Sequence, residues 1–311
     1  MIKILNVVKK FLINPKVRFG YFSKIGLYNK MSDKKYLQKK YELVTGKKLD
    51  LDNPQTFNEK LQWLKLYDRK EIYTTMVDKH AVKAYVASII GEEYIIPTLG
   101  VYEKFDDINF EELPSQFVIK CTHDSGGLVI VRDKSKMDIL KIKKKINKFL
   151  KRKYFYIHRE WPYKNVEPKI IIEKYMEDHN FKSLRDYKFF CFNGEPKIMY
   201  TSEGLENHET ARMSFYDMDY NEMDLKRKDY KLFDKKLSKP KNFEQMKEFA
   251  KKLSKDIPHL RVDFYEIDGK LYFGELTFTT CAGYLPFEKE DWNLELGSWI
   301  KLPEKSIDNE K

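Results

Sequence analysis

No stretch of this sequence approaches the ~20 consecutive apolar residues that a bilayer-spanning helix requires, so a membrane span is not expected. Cysteine is scarce: Cys121, Cys191 and Cys281 lie far apart and none belongs to a CxxC pair. The odd number and the apolar neighbours point to reduced, mostly structural thiols in a cytosolic protein. Neither GxGxxG nor GxxxxGK[ST] occurs, which removes the dinucleotide fingerprint and the P-loop. Zinc-finger spacing, an RNP-like motif and a leucine zipper are all missing, so nucleic acid is not an expected partner. There is no internal repeat and no low-complexity tract. Lysines interrupt the apolar start and no small-residue cleavage site follows, so a secretory signal is not expected either.

What is present is enough apolar material to fold. Hydrophobic residues make up 42% of the 311, with 21 Tyr and 21 Phe. A chain of this size can bury one large core or two small ones. The net charge is +11, and the whole excess lies in residues 1–48, which hold thirteen Lys or Arg against Asp33 and Glu42. A basic arm of this kind suits an anionic membrane surface or an acidic polymer. Its first residues are amphipathic, with Ile4, Leu5, Val8, Phe11 and Leu12 on one face and Lys9 and Lys10 beside it. Such a helix either packs on its own domain or lies in a membrane interface.

Residues 1–77 read as helical, broken at Asn14-Pro15, Thr45-Gly46 and Asn53-Pro54. Thr56 and Glu59 have capping-box spacing ahead of Leu61 and Leu64. A helix is expected over 78–90, a short strand at Tyr94–Pro97, and buried strands at Phe117–Cys121 and Leu128–Val131. A Lys-rich helix over 135–152 presents a solvated face. Strands follow at 169–173, 187–192 and 196–200, with Asn193-Gly194 as a hairpin turn between the last two. Residues 222–242 read as a polar surface excursion and 243–255 as a helix. Two last strands, 260–265 and 271–276, flank a second hairpin turn at Asp268-Gly269. The fold class is α+β, with antiparallel hairpins carrying helices on one side, because the strands arrive in hairpin pairs.

Four fragments carry chemistry. Lys120 ends a buried strand ahead of Ser125-Gly126-Gly127, where a lysine and backbone N–H groups can hold a nucleotide phosphate. Glu173-Lys174-Tyr175-Met176 ends an apolar strand, with Asp186 ten residues on, a setting for an adenine and a ribose. Arg261 and Asp263 share one strand face, as do Glu275 and Thr277 on the strand paired with it. Two carboxylates on facing strands beside an arginine fit Mg²⁺ on a triphosphate. The plainer reading is a cross-strand ion pair, which the apolar Val262, Phe264, Leu276 and Phe278 on the other face disfavour.

Together these parts resemble the ATP-grasp fold, and more narrowly the TupA-like ATP-grasp family found with bacterial surface-polysaccharide genes. The resemblance covers roughly residues 32 to 290. It rests on Asn53–Trp63 (NPQTFNEKLQW), Asp78-Lys79-His80, Phe117–Gly127 (FVIKCTHDSGG), Arg185–Pro196 (RDYKFFCFNGEP) and Tyr272–Thr277 (YFGELT). It implies antiparallel sheets sandwiching ATP behind a helical basic arm. The implied division is a basic arm over 1–50, a helical substrate region over 51–115, a small lobe with the phosphate loop over 116–180, and a lobe with the Mg²⁺ site over 181–311.

The resemblance also implies roles. Lys79 and Lys120 would be the nucleotide lysines, Glu173 and Met176 would bracket the adenine, and Asp186 would take the ribose. Asp263 and Glu275 would hold Mg²⁺, with Thr277 where such enzymes often carry an asparagine. Arg212 would meet the γ-phosphate. His123 would touch phosphate or acyl group, or pack the loop, and His208 reads as a surface residue. Trp63, Trp161, Trp292 and Trp299 read as core or rim aromatics.

The implied reaction is ADP-forming: a carboxylate, plausibly a hexuronic acid of a surface polysaccharide or its precursor, becomes an acyl phosphate and is coupled to an amine, plausibly an amino acid. A cytoplasmic enzyme is expected, with residues 1–28 available for contact with the inner membrane face. Two rival readings stay open at this level. One is a metal-dependent glycosyltransferase using Asp217-Met218-Asp219, and the other is a polymer-binding adaptor.

Overall fold

The computed structural model describes residues 11–180, 184–204 and 211–305. The start of the amphipathic segment, residues 1–10, and His208 lie outside them.

The N-terminal part is helical for local reasons. Asn14 caps α1 (Pro15–Lys24), its side-chain oxygen accepting from the backbone N–H groups of Lys16 and Val17. α2 (Asp33–Thr45) stops at Gly46, whose φ of 74° is left-handed. The capping box of Thr56 and Glu59 forms at the head of α3 (Phe57–Tyr67). α4 (Ile72–Val77) and α5 (Ala81–Ile90) follow.

The first sheet is small and wholly antiparallel. Its strands are β1 (Thr98–Tyr102), β2 (Phe117–Cys121), β3 (Leu128–Val131) and β4 (Ile170–Lys174), in the order β1-β4-β2-β3. One face buries Phe117, Ile119, Ile170 and Ile172 against Ile142 and Ile146 of α6 (Ile139–Leu150), whose lysines face outward. The segment Tyr94–Pro97 is not the expected strand. Glu92–Tyr94 form a 3₁₀ turn, Ile95 drops into a core, and the ladder starts only at Thr98, past Pro97. Proline has no N–H to give a ladder, so the strand begins after it.

The second sheet has five antiparallel strands: β5 (Asp186–Phe192), β6 (Glu195–Glu203), β7 (Arg212–Asp217), β8 (His259–Ile267) and β9 (Lys270–Thr277), in the order β7-β6-β5-β8-β9. Both two-residue hairpin turns form as expected, with φ of 51° and 83° at Asn193-Gly194 and 49° and 78° at Asp268-Gly269. Helices cover both faces, not one. Phe189, Cys191 and Val262 pack toward α5 and α8 (Phe243–Leu253), while Phe190, Phe192 and Phe215 pack toward α1, α2, α3 and α9 (Asp291–Trp299). Strands buried on two faces lose the simple alternation that marks a one-sided sheet.

The second of these cores absorbs the basic arm. Phe19, Tyr36, Leu37 and Tyr41 are buried in it, and Arg159, 1% exposed, stacks on Tyr36 at 4.5 Å while donating to the carbonyls of Tyr28 and Met31. α9 was not foreseen and closes the same core. Gly297 sits where a Cβ would come within 2.7 Å of the Phe57 nitrogen. Residues 222–242 are irregular yet not wholly superficial, since Leu225 is fully buried in this core. Among the described residues no helix is long and apolar enough to cross a membrane.

Candidate active site

The period of two along β2 and β4 decides which side chains leave the small core. With Ile119 and Ile172 turned inward, Lys120 and Glu173 face the opposite side. There Glu173 sits between two lysines, 2.5 Å from Lys120 and 2.5 Å from Lys83 of α5. Burial would raise its carboxyl, but Lys120 and Lys83 outweigh that and hold it below the usual range. Lys83 also donates to the Ile96 carbonyl at 2.6 Å.

The loop between β2 and β3 is fastened from several sides. Lys79 donates to the Asp124 carbonyl, and Arg152 donates to the Ser125 carbonyl at 3.1 Å. The Gly127 N–H donates to the Asp124 carboxylate at 3.2 Å. Gly126 has a φ of 98°, and a Cβ on Gly127 would lie 2.7 Å from an Asp124 oxygen and 3.0 Å from the Cys121 sulfur. Glycine is therefore required at both positions. His123 is buried, with Nε2 3.1 Å from the Arg152 carbonyl oxygen. Burial pushes the thiols of Cys121 and Cys191 up to about 12, as inert structural cysteines require.

Across the cleft, the Asp268-Gly269 turn sets the register of β8 and β9. Asp263 lies opposite Glu275 and Arg261 opposite Thr277, with a bulge after Asp263. Arg261 ties the group together. Its Nε and Nη2 donate to the two oxygens of Asp263 at 2.7 Å each, and Nη2 also reaches Glu275 at 2.7 Å and the Thr277 hydroxyl at 3.0 Å. β5 adds Lys188, 2.6 Å from Asp263 and 3.1 Å from Asp186. Burial pushes Asp263 up, against the pull of Arg261 and Lys188. At Glu275 burial loses to Arg261, Lys188 and Lys79, which hold its carboxyl at about 2; 49% of that side chain is exposed, so solvent in the cleft screens the effect.

The far end of the cleft was not legible beforehand. His158 ends a short helix, α7 (Phe155–His158), Tyr163 ends the 3₁₀ turn Trp161–Tyr163 with Glu160 just ahead of it, and Thr279, Cys281 and Ala282 come from the turn after β9. Cys281 and Ala282 both have positive φ, 51° and 54°, uncommon for residues with a Cβ. Glu160 accepts from the Thr279 hydroxyl and, at 3.3 Å, from the Tyr154 hydroxyl. Behind them Lys40 of α2 reaches the Ile157 carbonyl at 2.7 Å and His158 Nδ1 at 2.9 Å. Lys65 of α3 donates to Gln62 and to the carbonyls of His158 and Ala282. Burial, with Lys65 next to it, pushes Lys40 down to about 7, and burial pushes Lys65 down to about 8. Burial pushes the Tyr163 hydroxyl far up, with Glu160 and Glu275 both adding to it. That ring therefore lies within electrostatic reach of both clusters.

These groups share one cleft of about 540 Å³. Of the residues singled out from sequence, Lys79, Lys120, Ser125, Gly126, Gly127, Glu173, Arg261, Glu275 and Thr277 line it. Asp263 and Asp186 stand just behind, through Arg261 and Lys188. Lys174 is exposed at the end of β4 and Met176 lies past that strand, neither on the cleft lining. Arg212 starts β7, and strand register puts it on the sheet face opposite Lys188 and Asp263. Asp217 caps a turn, accepting from the N–H groups of Asp219 and Asn221, so Asp217-Met218-Asp219 is a local turn device. Lys188, Lys83, Glu160 and Lys40 are the site residues that sequence patterns missed.

Among the described residues no cluster of three His, Cys, Asp or Glu side chains is arranged to hold a metal. The donor set still fits Mg²⁺, which takes one or two carboxylates and completes its shell with phosphate oxygens and water. Glu275 offers a carboxylate oxygen, Oε2, that has no hydrogen-bond partner among the described residues, next to the Thr277 hydroxyl.

No curated protein matches the sequence. Among solved structures, the D-alanine–D-alanine ligase of Helicobacter pylori is 15% identical, with a TM-score of 0.44, over 80% of this chain and 70% of that one. The D-alanine–D-alanine ligase of Bacillus anthracis complexed with ATP is 16% identical, with a TM-score of 0.41, over 66% of this chain. The chain spans 55% of that ligase's length. Phosphoribosylamine–glycine ligase of Thermotoga maritima is 14% identical, with a TM-score of 0.38, over 68% of this chain and 50% of that one. The model of the TupA-like ATP-grasp family matches residues 59–301, a span that takes in both sheets and every residue lining the cleft. With that match the two-sheet architecture is an ATP-grasp fold, and the chain belongs to the TupA-like ATP-grasp family.

Proposed function

We propose that the protein is an ATP-dependent carboxylate–amine ligase forming ADP, phosphate and an amide. The observation that carries this reading is the single cleft in which Lys79, Lys120 and the glycine loop of one sheet face Arg261 and Glu275 of the other. ATP would lie between the sheets, its phosphates toward Lys79, Lys120 and the backbone of Ser125 and Gly126. Glu275, with the Thr277 hydroxyl, would hold Mg²⁺, while Asp263, whose two oxygens are taken by Arg261 and Lys188, would support them from behind; the ion would offset phosphate charge.

In the first step a carboxylate oxygen of the substrate bonds to the γ-phosphorus and the bond to the β-phosphate oxygen breaks, leaving ADP. Arg261, fixed by Asp263, offsets the charge on the transferred group from a preset position. The acyl phosphate must be kept from water, which a cleft closed by the 122–127 loop favours. In the second step the amine nitrogen attacks the acyl carbon, the carbon–oxygen bond to phosphate breaks, and phosphate leaves with the electron pair. Starting from an ammonium, the nitrogen sheds two protons, one taken by the phosphate and one by solvent.

The finer reading is a hexuronic acid of a surface polysaccharide or its precursor as the carboxylate and an amino acid as the amine. A contact of residues 1–28 with an anionic membrane surface belongs to the same reading. Leu12, Ile13, Tyr21, Ile25 and Leu27 are exposed beside Lys16, Arg18 and Lys24, which supports it. The test is a product assay with Mg²⁺, ATP, a panel of uronic acids and a panel of amino acids. ADP together with an amide of the summed mass is expected. Release of UDP from a UDP-sugar without any need for ATP would replace the ligase by a glycosyltransferase.

A further inference from the structure

Glu160 is 5% exposed, lines the cleft, and has only hydroxyl groups for partners, those of Thr279 and Tyr154. Among the described residues no Lys, Arg or His nitrogen lies within 4.0 Å of its oxygens. A buried carboxylate with no cation against it is costly, because hydroxyl donors do not cancel its charge. Lys65 and Lys40 lie within electrostatic reach of Glu160, but neither contacts it. Lys65 spends its three donors on Gln62 and two backbone carbonyls, and Lys40 is held by Ile157 and His158. What does face Glu160 in the cleft is aromatic. The rings of Tyr154 and Tyr163 line it, edge to face, with centroids 4.9 Å apart; Arg152 lies over the Tyr154 ring at 5.4 Å, which leaves Tyr163 as the ring for an incoming cation. A carboxylate beside electron-rich ring faces is the composition that recognises an ammonium group.

Position adds the second half. The nucleotide half of the cleft carries Lys79 and Lys120, whereas among the described residues no Lys or Arg lines the Glu160 end. Tyr163 joins the two, within electrostatic reach of Glu160 and of Glu275.

Resting on the ligase reading above, we propose that Glu160, with Tyr154 and Tyr163, is the binding site for the ammonium group of the acceptor, which makes the acceptor a primary amine carried on a small polar molecule. Glu160 holds that nitrogen as a cation, and the tyrosine rings exclude water around it. N-acylated or neutral counterparts of the same molecule lack the charge and are rejected.

The test is equilibrium binding, which needs no knowledge of the carboxylate. The full-length chain is first shown to bind Mg·ATP. Ligand-observed NMR then screens L- and D-amino acids, ethanolamine and hexosamines, each beside its N-acetyl form. Free amines should bind to the Mg·ATP-loaded chain and N-acetyl forms should not. In Glu160→Gln, amine affinity should fall about thirtyfold or more, as expected when one partner of a buried charge pair is removed, and by far more than any change in Mg·ATP affinity. Glu160→Asp keeps the charge and should retain binding of the same amines. Three outcomes overturn the proposal: no free amine binds, N-acetyl forms bind equally, or Glu160→Gln binds amines as the wild type does. A wild-type chain that fails to bind Mg·ATP refutes the ligase reading itself.

Discussion

Asp263 and Glu275 face each other in register, share Arg261, and should respond to mutation in opposite ways. Glu275→Gln alters a side chain that is 49% exposed, so loss of its ion pair should cost at most about 1 kcal/mol of stability. Its chemical cost is larger. Glu275 offers the charge nearest the proposed phosphate and Mg²⁺ position, and losing one preorganised electrostatic partner typically lowers turnover by about 10²–10³. Asp263→Asn reverses the balance. Asp263 is 1% exposed and accepts from both Arg261 and Lys188. Asparagine would leave two buried cations short of charge and turn an amide donor toward them, a cost of about 3–5 kcal/mol. At about 2–4 °C per kcal/mol, that lowers Tm by about 6 °C or more, against a small shift for Glu275→Gln. Both variants are to be followed by thermal melting and by Mg²⁺-dependent ADP formation. Wild-type ADP formation by Glu275→Gln would refute its place at the phosphates. Unfolding of Glu275→Gln with an intact Asp263→Asn would refute the division between chemistry and support.

Three further outcomes follow from the same geometry. Lys120→Met should weaken ATP binding by about 10–100-fold through loss of one charge-assisted contact, while Lys83 still pairs with Glu173 and the fold holds; unchanged ATP affinity in a titration would remove Lys120 from the phosphate site. Gly127→Ala pushes a methyl against Asp124 and Cys121 and should cost about 1–3 kcal/mol with weaker ATP binding, and a melting curve like that of the wild type would contradict the close packing of the loop. Lys40 and Lys65 sit at about 7 and about 8 when folded, below the ordinary lysine value, so the folded chain binds fewer protons than the unfolded one above neutrality and stability should rise with pH from about 7 to 9. Melting scans should show that rise, shallower in Lys40→Met; equal slopes in the two proteins would place the effect elsewhere.

Much of the Arg261–Asp263–Glu275–Thr277 group was readable from sequence because a two-residue turn fixes its register. Asp268-Gly269 leaves no choice about which residues face one another, and the period of two does the rest. Lys188 was hidden because its role depends on β5 pairing with β8, some 75 residues away, which no local pattern announces. Glu160 and His158 were hidden for a related reason. They lie at and just after a very short helix, Phe155–His158, whose place is set by α2, through Lys40 and Tyr36, more than a hundred residues earlier. The strand expected at Tyr94–Pro97 failed because a short apolar run does not say whether it pairs or plugs a core, and here Ile95 plugs one. The charge of the basic arm left two readings open, packing on its own domain or lying in a membrane interface. Its face of Phe19, Tyr36 and Tyr41 joins the body, while its first ten residues lie outside the described ones.

α3 and α9 lie at opposite ends of the chain yet complete one core. Asn58 exchanges hydrogen bonds with Leu285 and its backbone N–H donates to the Asn293 side-chain oxygen, Lys60 donates to the Ile300 carbonyl, and Gly297 fits against the head of α3. During synthesis, therefore, the core over α1, α2 and α3 takes in β5, β6 and β7 first and is complete only with α9 (Asp291–Trp299), a wait on the order of tens of seconds at ordinary ribosome speeds. Through that interval part of a basic, half-apolar surface stays uncovered, and the arrival of α9 is what ends its exposure.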